Sequence, residues 1–207
     1  MMSFLKKYIL PKEIDFFEAM LKHSKVIESI VKDLELCFLE IDKSACERVL
    51  NDEANSKEIK KENIKNLLGT FITPIDRESI YRVTTELDWT AISIRHFILE
   101  INNYKIENLK EYSLIFHSLV DMSKALTLGF ANLKDKKLQD VDRECDEVRS
   151  IYDKIVSEYI LYMAKLSKES DIQKIFTHKE ILFQLKDIAK RFHICANSLE
   201  DIVAKMV

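Results

Sequence analysis

Residues 73–101, TPIDRESIYRVTTELDWTAISIRHFILEI, decide the fold class. Thr73 offers an N-cap hydroxyl, Pro74 suits the first helical position, and Asp76 brings an acid three residues on. Ile80, Val83, Leu87, Ala91, Ile94, Ile98 and Ile101 then recur at intervals of three and four. That spacing places every one of them on a single face of a helix, so the stretch predicts an amphipathic helix whose apolar stripe faces a core.

The same period continues in both directions. A first helix follows Pro11 and carries Phe16, Met20, Val26, Ile27, Ile30, Leu34, Cys37 and Phe38 inward. A second runs from Lys43 to Leu68 and closes near Gly69, with a very polar middle, Asn51 to Lys61, where fraying is expected. Beyond the quoted helix, a fourth covers about 106–133 and a fifth about 135–166. A polar loop over 167–177 precedes the sixth, 177–206, whose inward residues include Ile181, Leu185, Ile188, Phe192, Leu199 and Ile202. The chain of 207 residues holds 2 glycines and 2 prolines, too few punctuating residues for a sandwich or a doubly wound sheet. An all-α bundle is expected, as one six-helix body or two three-helix units side by side; periodicity leaves both open.

Charge and composition exclude several functions. Basic and acidic residues number 32 and 35 and are interspersed, giving a net charge of −3 and no block of basic residues to track a nucleic-acid backbone. Even Lys57, Lys60, Lys61 and Lys65 have Glu58 and Glu62 among them. No stretch of about 18 apolar residues predicts a membrane span, and Met1 to Lys7 lacks the features of a signal peptide. Cys37, Cys46, Cys145 and Cys195 form no close pair, so buried free thiols in a reducing cytosol are expected. There is no GxSxG elbow, Gly-rich phosphate loop or HExxH, and no histidine has a glutamate three residues before it, which excludes a ferritin-like di-iron site. The sequence predicts no enzyme.

Acidic pairs spaced i,i+4 share a helix face and are the remaining source of chemistry, since oxygens from two helices can grip a hard cation. Asp142 and Asp146 form such a pair, and His193, Asn197 and Asp201 make a polar line at the same spacing. With charged residues this abundant, such a pair usually means a solvated helix face and nothing more.

Three stretches resemble a known family. FITPIDRESIYRVTTELD, residues 71–88, is similar to the FITPFDREDIYxLxxxLDD signature of PhoU-like accessory proteins of Pit-type phosphate permeases. DRECDEVRSIY, from Asp142, resembles their ExEAD segment, and the stretch from His178 to the C-terminus resembles their KEIYExLE…DxCEDVAN ending. The resemblance implies a six-helix PhoU-like bundle of two similar three-helix halves, about 11–104 and 106–207, in a single domain. It also implies a non-enzymatic, cytoplasmic regulator of inorganic phosphate transport. Such a regulator acts by protein–protein contact with a Pit-type permease, peripheral to the inner membrane through that partner, with self-association into a homo-oligomer. In PhoU-type proteins E/DxxxD motifs on the second and third helix of each half hold metal ions. Carried over, the motifs are Glu53-x-x-x-Lys57, Asp88-x-x-x-Ile92, Asp142-x-x-x-Asp146 and Asn197-x-x-x-Asp201. The implied ligands of a divalent or iron-type ion are therefore Glu53, Asp88, Asp142, Asp146, Asn197 and Asp201, with His193 able to add a nitrogen. Lysine and isoleucine at two positions remove ligands from the first half. Two other readings stay open: a metal-dependent enzyme or metal-storage protein built on the second-half acids, and a helical scaffold that has lost its ancestral metal sites.

Overall fold

The computed structural model describes residues 14–206, so the predicted opening at Pro11 lies outside the described residues. Six α-helices follow in order: α1 Phe16–Leu39, α2 Lys43–Gly69, α3 Arg77–Tyr104, α4 Ser113–Lys134, α5 Leu138–Leu166 and α6 Ile172–Met206. Among the described residues there is no strand. The described residues form an all-α six-helix bundle.

Helix ends moved where side chains satisfy the free backbone groups. Asp15, Asp42 and Asp76 cap α1, α2 and α3, each accepting from backbone N–H groups of the first turn. Asp76 thus replaces the expected Thr73 as the cap of α3. Thr73 instead donates its hydroxyl to the Ile75 carbonyl at 2.7 Å, and the Arg77 guanidinium donates to the carbonyls of Leu67 and Thr70. These bonds fold residues 70–76 into a tight turn that keeps Pro74 outside the helix. Gly69 is the last residue of α2 rather than a left-handed cap, and the Thr70 hydroxyl closes the helix on the Asn66 carbonyl. The polar middle of α2 does not fray: the helix is continuous. Its solvent face is charged, and Ala45, Val49, Ser56, Ile59, Asn63 and Leu67 are the residues it buries. At the other end of the chain, α6 starts before the predicted Thr177 because Asp171 accepts from the Lys174 N–H at 3.1 Å. Helix α4 starts later than predicted, after a 3-10 turn at Lys110–Tyr112.

Within each half, the three helices pack on one another, and α1 against α4 and α3 against α6 join the halves. The core is continuous across that junction. Phe38 of α1, Phe97 of α3 and Phe116 of α4 meet there with ring centroids 5.4–6.4 Å apart, two of the three pairs edge to face. Residues Lys110–Lys134, around α4, are long and apolar enough by length and composition to cross a membrane, but 67% of their most apolar 18-residue stretch is buried inside the bundle. It is the central core helix.

One expectation from the cysteines fails. Cys37 and Cys46 form a disulfide, with Cα atoms 5.0 Å apart, while Cys145 and Cys195 are free and buried. Ile41, at φ 59°, reverses the chain so abruptly that the last turn of α1 faces the first turn of α2. Spacing along single helices carries no sign of such a hairpin contact.

Candidate functional site

The motif residues sit on α2 and α3 in the first half and on α5 and α6 in the second. In the first half Asp88 is buried, its side chain 3% exposed, and it accepts from the Lys60 ammonium at 2.6 Å. Glu53 lies 3.7 Å from Arg95. Lys57, in the second motif position, is exposed, and Ile92 is half-buried. Beneath Lys60, His23 of α1 is fully buried, with Nε2 2.8 Å from the Ser56 hydroxyl. Burial, reinforced by the nearby Lys60 charge, lowers the His23 pKa to about 4, so the ring is neutral.

In the second half Asp142 and Asp146 are exposed on α5. Arg149, one turn on, gathers the neighbouring oxygens. Its Nη1 donates to Asp146 at 2.7 Å, and its Nε and Nη2 both lie 3.3 Å from Asn197 Oδ1. Nη2 also donates to Glu200. His193 packs against Tyr152 with centroids 4.9 Å apart and the rings tilted by 40°, and its Nδ1 is buried without a partner. Burial, then the Arg149 charge, lowers its pKa.

Asp201 does not join this group. It faces the seam between α3 and α6, 2.7 Å from Arg82 and 2.9 Å from Lys205, and Lys205 also reaches Asp76 at 3.2 Å. The hydrogen bond from Lys205 is the main reason its carboxyl titrates below the usual range. Nearby, Glu86 is pushed up by burial, against the bond it receives from Ser198 and the charge of Arg82. This is a polar seam between the halves rather than a ligand set.

The structure therefore brings Asp146 and Asn197 together, through Arg149, and keeps Asp201 apart from them. Among the described residues, no group of three or more His, Cys, Asp or Glu side chains gathers as a metal site would require. Sequence reasoning overlooked Lys60, Arg149, Glu200, Arg82 and Lys205. A signal for the first two was available: each is a basic residue three positions after the second residue of its motif, Lys57 or Asp146.

A different feature stands at the tip between α2 and α3. Phe71 is 97% exposed, Ile72 81% and Leu68 75%, while the residues around them, Thr70, Thr73, Asp76 and Arg77, hold the turn in shape. Large apolar side chains on a hydrogen-bonded turn with nothing over them suit contact with another surface.

No known family profile matches the chain. The UPF0111 protein YkaA of Bacillus subtilis (strain 168) is 27% identical over 144 residues, 69% of this chain and 70% of that protein. A PhoU-like protein of Shewanella oneidensis MR-1 superposes with a TM-score of 0.76 at 13% identity, covering 92% of this chain and 99% of that one. A second from the same organism, described as a PhoU-like phosphate regulatory protein, gives 0.75 at 12% identity over the same shares. PhoU from Pseudomonas aeruginosa gives 0.63 at 15% identity, covering 92% and 96%. In helix order, packing and extent, this chain has the PhoU-like fold.

Proposed function

We propose that this chain is a non-enzymatic regulator of inorganic phosphate transport, and that it acts by docking on a Pit-type phosphate permease from the cytoplasmic side. The observation that carries the reading is the α2–α3 tip. The string that most resembles the permease-associated family, FITPIDRE, spends its polar residues on holding a turn and leaves Phe71 and Ile72 exposed. The PhoU-like fold, and the naming of a similar structure for phosphate regulation, support the same assignment. Interaction rather than turnover is its mode of action, with self-association through the same kind of apolar contact. In a reducing cytosol the Cys37–Cys46 pair would sit open. The hairpin would still be held by the Asp42 cap and by the Arg48–Asp33 pair at 2.6 Å.

The test is phosphate uptake in cells lacking the protein, complemented with the native chain or with Phe71→Ser/Ile72→Ser. Altered uptake restored by the native chain and not by the double variant is expected. Uptake indifferent to the deletion overturns the reading.

A further inference from the structure

We propose that Lys60 and Arg149 are built-in cations, one in each half, standing where the family resemblance puts metal ions, so that this chain clasps its helices there without a bound metal. The two residues occupy the same register. Each follows the second residue of its half's motif by three positions, and each reaches the first residue of the facing motif: Lys60 to Asp88, Arg149 to Asn197. Each thereby ties the middle helix of its half to the third.

The residues present do not fit a resident metal. An ammonium or guanidinium has no lone pair to donate and repels a cation placed beside it. In the first half Lys60 holds Asp88, Arg95 holds Glu53, and Lys57 adds a third positive charge where a carboxylate is required. In the second half a metal ion would have to expel Arg149 from Asp146, Asn197 and Glu200 at once, while Asp201 remains with Arg82 and Lys205. The planar guanidinium suits this task, because its fork of donors spreads over several oxygens as a metal would.

The test is thermal unfolding and elemental analysis of chain purified without chelator. The native chain is expected to carry no stoichiometric metal and to keep its Tm in EDTA or in excess Mn2+, Fe2+, Zn2+ or Ca2+. Arg149→Ser frees Asp146, Asn197 and Glu200 together, and Mn2+ is expected to raise the variant's Tm by roughly 5 °C or more at about 100-fold excess over its Kd. Lys60→Met is expected to lower Tm, with most of the loss recovered in Lys60→Met/Asp88→Asn. Stoichiometric metal in the native chain, a fall in its Tm with EDTA, an Arg149→Ser variant indifferent to Mn2+, or a Lys60→Met variant as stable as the native chain would each overturn the proposal.

Discussion

Lys60 ties α2 to α3 and Arg149 ties α5 to α6, yet the first contact is buried and the second open to water. Asp88 is 3% exposed beneath Lys60, whereas Asp146 and Glu200 are 75% and 46% exposed around Arg149. The difference comes from what lies beneath. In the first half α2 buries Ser56, which meets His23, and Asn63, so the interior there is polar; in the second half Cys145 of α5 is inward and bonds the Ala196 carbonyl. A buried carboxylate depends on its partner, while a solvated one loses little without it.

The largest effect is expected at Lys60. Lys60→Met leaves the buried Asp88 carboxyl without its partner, and about 2–4 kcal/mol of stability should be lost, the lower part of that range reflecting the partial exposure of the lysine. Chemical denaturation would show it as a fall in midpoint at constant m. Second is acid. Unfolded histidine takes a proton near its ordinary 6.5, but folded His23 resists until about 4. Its contribution is therefore complete above about pH 6.5 and is lost as pH falls through that window, by about 3 kcal/mol at pH 4. His23→Asn should flatten this part of the pH–stability curve; an unchanged slope would remove His23 from the account.

Smaller effects sharpen the comparison. Ile41 and Lys136 hold positive φ, 59° in each case, in the turns that join the first two helices of each half. Ile41→Gly should stabilise by about 1 kcal/mol and by more than Lys136→Gly, since a β-branched residue is the more strained there. Arg149→Met should cost less than about 1 kcal/mol, diminishing further in salt. Phe71→Ser/Ile72→Ser should leave stability within about 0.5 kcal/mol, because neither side chain touches the core.

The architecture was legible because it rests on periodicity. The stripe from Ile80 to Ile101 is buried residue for residue, as are Ile181, Leu185, Ile188, Phe192, Leu199 and Ile202. Helix ends were less legible: Thr73 and Asp76 are both good caps, and the choice was made by Arg77, which reaches back to carbonyls at the end of α2. The disulfide was invisible for the same reason, depending on the left-handed turn at Ile41. For the motif residues, the helices were legible from spacing and the partners were not. Asp201 shares a helix face with Asn197, yet Arg82 and Lys205 draw it to the seam between the halves. A basic residue three positions along was present in both motifs, but its meaning depends on a facing helix that spacing alone does not supply.

The docking of the α2–α3 tip on a phosphate permease, proposed above, is open to direct test. The most direct measurement is the affinity of the purified chain for a detergent-solubilised Pit-type permease, read beside Phe71→Ser/Ile72→Ser. Saturable binding by the native chain is expected, weakened at least about 10-fold in the double variant, an anchor loss of about 1.4 kcal/mol or more. Equal affinity of the two, or no binding by either, would contradict it.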